Sequence, residues 1–179
     1  MWMEDEGTAM LSNKRNQDAP GKCAVSASVE DALARLSNED SKLGERMLNA
    51  AVAGAVVARQ PADTILRAEA AEAWNSIKPV IARHLTCEED IVLPWAKSCK
   101  DFPPDLILRA CEQRQRLCNL GRVVDAVSFI TGSDEEVAKA CTALTAFAVC
   151  LDDLIDCEEH DLFPMIQRAL FGEISGEGA

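Results

Sequence analysis

Three carboxylates and one imidazole interrupt apolar stretches of this sequence, and together they could bind a metal ion. His84 and Glu88 are four residues apart, so on a helix both side chains project from one face. Asp40 and Glu158 occupy similar positions elsewhere in the chain. Imidazole nitrogen and carboxylate oxygen suit iron, manganese or zinc, and facing helices commonly supply such ligands. These four residues are therefore candidate metal ligands, provided that helices bring them together.

Four long helices are predicted from the spacing of the apolar residues, which recur at alternating steps of three and four. Ser133 and Glu136 form a capping box at the start of the fourth helix. Sustained alternation typical of strands is missing from the sequence. The predicted fold is all-α, an up-and-down antiparallel four-helix bundle. Clusters of turn-forming residues separate the helices at 60–63, 101–105 and 131–134.

The turn positions indicate which polar residues face one another. Counting back from the first turn places Asp40 level with residues 81–84 of an antiparallel second helix. Counting back from the second turn places Glu88 level with about residue 114, and Glu158 lies roughly two turns further along the fourth helix. We therefore expect the polar residues to converge in one half of the bundle.

The net charge of -12 excludes most nucleic-acid and anionic membrane partners, because these require clustered Lys and Arg. The sequence has no apolar run of transmembrane length, and residues 1–21 do not resemble a secretory signal, so a cytoplasmic location is expected. We expect a disordered polar tail at 1–26, a single helical domain at 27–171 and a flexible C-terminus at 172–179.

Two segments of the chain repeat the same motif. HLTCEEDIVLP occupies residues 84–94 and LIDCEEHDLFP occupies residues 154–164, so Cys-Glu-Glu recurs at 87–89 and 157–159. Both segments resemble the signature of the hemerythrin-like family, in which a His and a Glu four residues later precede a Leu-Phe-Pro type ending. The resemblance covers roughly residues 27–171, and a repeat supports a fold more strongly than one motif does.

The resemblance implies a four-helix bundle that holds a non-heme di-iron centre through several histidines and bridging carboxylates. His84, Glu88 and Glu158 match family ligands by position. The family's histidines are replaced by Asp40 in the first helix and by Leu154 in the fourth. In the third helix Gln113 or Arg114 replaces the expected His, and the whole chain contains only two His. The ordinary di-iron ligand set therefore cannot be assembled.

Three interpretations of these residues remain open. In one, Asp40, His84, Glu88 and Glu158 hold a single iron or manganese that senses or binds oxygen, nitric oxide or iron.

In the second interpretation the domain is metal-free or binds metal weakly, and it acts as a regulatory or interaction module with a protein partner. Arg114, next to Gln113, would then replace the positive charge of the lost metal. In the third, Cys87 and Cys157 act as redox thiols or join His84 and His160 in a zinc site. No nucleophile with a base and no phosphate-binding loop is evident, so enzymatic activity is not expected.

Overall fold

The structure is a computed structural model that describes residues 21–171, apart from the side chains of residues 21–27 and 41. Within this range the chain is all-helical and contains no β-strand, so the predicted fold class is confirmed at this level. The first helix begins at Gly21, before the predicted domain boundary at residue 27. The rest of the predicted tail, residues 1–20, and the predicted flexible segment 172–179 lie outside the described residues.

Four long helices account for nearly all of the described chain. The first helix is α1 (Gly21–Arg59), and the third is α4 (Pro104–Asp125). The second and fourth helices each contain a π-helical turn, called π1 and π2, between two α-helical segments. The second helix consists of α2 (Thr64–Cys87), π1 (Glu88–Val92) and α3 (Leu93–Ser98). The fourth consists of α5 (Asp134–Cys157), π2 (Glu158–Leu162) and α6 (Phe163–Leu170).

Polar side chains fix where two of these helices begin. The Asp63 carboxylate accepts hydrogen bonds from the backbone N–H groups of Ile65 and Leu66 at the start of α2. At the start of α5, the Ser133 hydroxyl accepts from the Glu136 N–H, and the Glu136 carboxylate accepts from the Ser133 N–H. The capping box predicted from the sequence is therefore confirmed. Such caps satisfy amide donors that have no partner inside the helix.

The two π turns arise at equivalent positions of the sequence repeat. In π1 the Leu93 N–H donates to the Glu88 carbonyl, and in π2 the Phe163 N–H donates to the Glu158 carbonyl. A proline follows each of these donors. Proline has no N–H, and in a regular α-helix its ring would clash with the carbonyl four residues earlier. A wider turn at this point relieves that clash, and it begins at a glutamate in both repeats.

The apolar core consists of two clusters. One contains Trp74 and Phe147, whose rings meet edge to face with centroids 5.3 Å apart. The other contains Leu36, Phe102 and Phe163. Asp40 lies between residues of the two clusters along α1, and His84, Glu88 and Glu158 lie within three residues of the point where their helices pass from one cluster to the other. The ionisable residues therefore mark the boundary between two apolar halves of the core.

Helix α1 packs against α2 and α5, and α4 packs against α5. Helices α2 and α4 are joined by a hydrogen bond from the Trp74 indole to the Asp125 carboxylate, with 2.9 Å between the atoms. The buried guanidinium of Arg67 donates to the carbonyls of Pro61 and Gly132 and to the Asp134 carboxylate. Arg67 thus ties together the loops that precede α2 and α5.

Among the described residues, none of the helices combines the length and the apolar character needed to cross a lipid bilayer.

Candidate functional site

Asp40, His84, Glu88 and Glu158 are all in the interior of the protein, and each has at most 1% of its surface exposed. Burying a carboxylate or an imidazolium away from water is costly unless it is paired or hydrogen-bonded. Four such groups at one place therefore require compensation from one another or from a bound cation. With Arg114, which contacts Glu88, these residues are called the core cluster below.

The helix termini and the π turns determine how the core cluster is assembled. His84 lies in the last turn of α2, and Glu88 and Glu158 are the first residues of π1 and π2. Side chains of helical residues lean toward the N-terminus of their helix. The Glu88 and Glu158 carboxylates therefore point back by about one turn, toward the level of His84. Asp40, in the middle of α1, reaches the same level from the opposite side.

The imidazole of His84 is at the centre of the cluster. Its Nδ1 atom lies 3.4 Å from Asp40 Oδ1. Its Nε2 atom lies 2.7 Å from Glu88 Oε1 and 3.2 Å from Glu158 Oε2. One ring thus faces three carboxylates from three different helices, the arrangement expected of an imidazolium that neutralises carboxylates or of an imidazole that shares a cation with them.

A second positive charge enters the cluster from α4. Arg114 Nη1 donates to Glu88 Oε2 over 2.8 Å, and Nη2 donates to the Leu85 carbonyl over 2.8 Å. Nη2 also donates to the exposed Glu89 carboxylate over 3.2 Å. A planar guanidinium suits such a site because it satisfies several acceptors at once and stays charged at all accessible pH values. The Glu88 carboxylate is therefore paired on one side with arginine and on the other with histidine.

The close spacing of these charges shifts their pKa values. Burial alone lowers the pKa of His84, but hydrogen bonds and charges from Glu158 and Glu88 outweigh it and raise the pKa to about 10. Burial raises the pKa of Asp40 to about 6, although the His84 charge opposes this effect. Burial, followed by the nearby Glu88 charge, raises the pKa of Glu158 well above its usual value. At neutral pH the cluster without a metal therefore retains a protonated His84, and the raised pKa of Glu158 disfavours its ionised form.

Several buried polar atoms of the cluster have no hydrogen-bond partner among the described residues. They are both carboxylate oxygens of Asp40, Nδ1 of His84, Oε1 of Glu88 and Oε1 of Glu158. Unsatisfied buried polar atoms in a native protein indicate a water molecule, an ion or a proton that links them. These atoms are therefore a physical reason to test whether a cation fits here.

Asp40, His84 and Glu158 each offer a ligand atom, and these atoms lie within 4.8 Å of one another. Two carboxylate oxygens and one imidazole nitrogen fit a single iron or manganese ion, with water needed to complete its coordination. Binding would require His84 to lose its proton, because only neutral imidazole is a ligand. The nearby Arg114 charge opposes a further cation. The ligand set fits one ion, but the cluster's own positive charges compete with it.

The other residues singled out from the sequence lie in different surroundings. The Gln113 amide donates to the Asp153 carbonyl on α5, whereas the Arg114 guanidinium points into the core cluster. Cys87 and Cys157 are buried among apolar side chains. The His160 side chain is 73% exposed. The structure therefore does not bring the Cys2His2 zinc set together.

Two features of the site were not identified from the sequence. One is the pair of π turns, for which the equivalent prolines at positions 94 and 164 were the available signal. The other is Glu89, the last residue of the first Cys-Glu-Glu repeat. Its side chain is largely exposed but also accepts a hydrogen bond from Arg114, so it lies between the core cluster and solvent.

Comparison with known proteins identified no relative of this chain. No protein-family model matches the chain, and neither the curated proteins nor the solved structures gave a significant match.

Proposed function

We propose that the chain is a hemerythrin-like antiparallel four-helix bundle with a degenerate core site. In this proposal it acts as a regulatory or interaction module, with a protein as its partner, and is metal-free or binds metal only weakly. The repeated segments at 84–94 and 154–164 support the family assignment. Both repeats carry a glutamate at the start of a π turn, which is consistent with a fold built from two similar hairpins.

Contacts between helices support the up-and-down arrangement. Between α2 and α4, Trp74 contacts Asp125, whereas Leu85, further along α2, contacts Arg114, earlier in α4. Residue numbers that rise in one helix while they fall in its neighbour indicate antiparallel helices. The same trend relates α4 to the fourth helix, since Gln113 bonds Asp153 and Arg109 pairs with Asp161.

The observation that carries the proposal is the position of the Arg114 guanidinium. It lies 2.8 Å from Glu88 Oε2, in the interior, at the helix where the family resemblance implies a histidine ligand. A fixed positive charge at this position neutralises a carboxylate that would otherwise bridge or bind metal. Together with a protonated His84, it leaves the three carboxylates with two intrinsic positive charges. Such a cluster supports a folded state that does not depend on metal.

Metal content tests this proposal directly. The protein is purified from cells grown with added iron and from cells grown with added manganese, and bound metals are quantified by elemental analysis. We expect well under one metal ion per chain, together with a full helical circular dichroism signal. Two irons per chain with an oxo-bridge absorption band would contradict the degenerate site. Loss of the helical signal after chelation would contradict a fold that is independent of metal.

A second candidate function is supported by the 4.8 Å grouping of Asp40, His84 and Glu158. In this alternative, the three residues hold one non-heme iron or manganese, and Arg114 holds Glu88 aside. A bound iron with an open coordination position would supply reversible binding of oxygen or nitric oxide. The two functions are distinguished by removing metal from the protein with a chelator and then adding Mn²⁺, with binding measured by electron paramagnetic resonance. One tightly bound ion per chain that is lost in Asp40→Asn would favour this alternative.

A further inference from the structure

An apolar stripe on the outer face of α1 lies outside the core cluster. Leu48, Val52 and Val56 are 62%, 54% and 39% exposed, and their spacing of four residues places them along one side of the helix. Single exposed apolar residues are common, but a contiguous row on a long helix is typical of an interaction site. The stripe is therefore a candidate docking surface, and the charged residues around it bear on what binds there.

The residues around the stripe are arranged so that an antiparallel second copy of α1 would complement them. Leu48 and Val56 are equidistant from Val52, and so are the exposed residues Glu45 and Arg59. A displacement of seven residues returns to nearly the same side of a helix, so Glu45 and Arg59 flank the stripe on the same face. In two antiparallel copies of α1 that cross at Val52, each glutamate would therefore lie opposite an arginine.

A groove beside the stripe extends this complementarity. It has a volume of about 380 Å³ and lies between α1 and α5. Glu45 and Asp152 place carboxylates at its edge, whereas Leu48, Ala148 and Val149 provide an apolar lining. An arginine side chain fits such a groove, because its methylene groups can cover apolar surface while its guanidinium pairs with carboxylates.

We propose that this α1 face is a homodimer interface, formed by a second copy of the chain related by a two-fold axis near Val52. Leu48 of each copy packs against the partner's Val56, and the partner's Arg59 enters the groove toward Glu45 and Asp152. A two-fold interface uses the same patch on both chains, which the reversed symmetry of the stripe satisfies. The interface is separate from the core cluster, so the proposal does not depend on the metal content of the domain.

Sedimentation velocity of the full chain over a range of concentrations tests the proposal. The wild type should show a concentration-dependent dimer. In Val52→Glu, two carboxylates meet at the two-fold axis, and we expect the dissociation constant to rise by about tenfold or more. Arg46→Glu is the matched control, because it changes an exposed residue of the same helix that lies off the stripe. Circular dichroism verifies that each variant is folded.

Charge reversal gives a sharper test of the antiparallel register. Glu45→Arg places two arginines opposite each other in its own dimer, and Arg59→Glu places two glutamates opposite each other. Each variant alone should therefore be predominantly monomeric. A mixture of the two should form a heterodimer, since both of its charge contacts are then between opposite charges.

Three results would overturn the proposal. One is a wild type that stays monomeric up to its solubility limit. Another is a dimer whose dissociation constant is unchanged in folded Val52→Glu, which would place the interface elsewhere. The third is a failure of the two charge variants to associate with each other when both dissociate from themselves, which would exclude the antiparallel register.

Discussion

Replacing Arg114 by leucine should destabilise the protein strongly while increasing its affinity for metal. The substitution removes the guanidinium that donates to Glu88 and to the Leu85 carbonyl. It leaves the buried Glu88 carboxylate beside Glu158 and Asp40, with only His84 to neutralise all three. The core cluster then resembles a metal site that lacks its ion.

The size of the effect follows from the burial of both partners. Glu88 is fully buried, and about 10% of the Arg114 side chain is exposed. Removing one member of a buried ion pair typically costs about 3 to 5 kcal/mol, because the other charge is left without compensation. Removing both charges in the double variant Glu88→Gln, Arg114→Leu should cost much less.

Urea denaturation in the presence of a chelator, followed by circular dichroism, measures the free energy of unfolding of each protein. Arg116→Leu serves as the control, because Arg116 is an exposed arginine of the same helix. Its variant should change stability by less than about 1 kcal/mol. Addition of Mn²⁺ should raise the melting temperature of Arg114→Leu more than that of the wild type, since ligand binding to the folded state stabilises it.

Unchanged stability of Arg114→Leu would refute the role of arginine as a charge replacement. Equal destabilisation by the single and the double variant would also refute it, because the loss would then come from packing rather than from an unpaired Glu88 charge.

Three other predictions concern the pH dependence, the thiols and the helix cap. Burial raises the pKa of Asp40 from 3.8 to about 6, so the folded state holds this proton more tightly than the unfolded state does. The contribution of Asp40 to the free energy of unfolding should therefore fall by about 3 kcal/mol as pH rises from about 4 to 6. Urea denaturation at each pH should show that this fall is lost in Asp40→Asn. The buried thiols of Cys87 and Cys157 should react with a thiol reagent more slowly than Cys99 and Cys111 in folded protein, and at similar rates in denaturant, as mass spectrometry of labelled peptides would show. Ser133→Ala should cost about 1 kcal/mol in a thermal unfolding experiment, because it removes the cap of α5.

The sequence was sufficient to predict the helices because their apolar spacing is regular. It also placed Asp40 level with His84, and it placed Glu88 level with residue 114. In the structure the side chains of Asp40 and His84 are 3.4 Å apart, and those of Glu88 and Arg114 are 2.8 Å apart. It was possible to predict which residues of neighbouring helices lie at the same height, because the helices are long and each loop is short. A small error in the position of a turn then shifts a residue by less than the reach of its side chain.

The rest of the site depends on local geometry that spacing does not determine. Gln113 and Arg114 are only 100° apart on a helix, so the sequence could not decide which of them faces the core. Glu158 does lie beyond the level of residue 114, since Gln113 bonds the Asp153 carbonyl, and its side chain contacts His84 rather than Arg114. Helix α1 is described from Gly21, whereas residues 21–26 lack the apolar periodicity from which the first helix was predicted.

The charged residues that divide the apolar core affect the register in which the helices pack. Regular apolar stripes can slide past one another by a heptad with little loss of buried surface. In this protein such a shift would move Arg114 away from Glu88 and place a carboxylate against leucine, which is costly. We infer that the charges select one register of the helices, much as a buried polar residue does in a coiled coil. A variant with leucine at all five core cluster positions would test this, since a single sharp set of amide resonances would show that register is fixed without them.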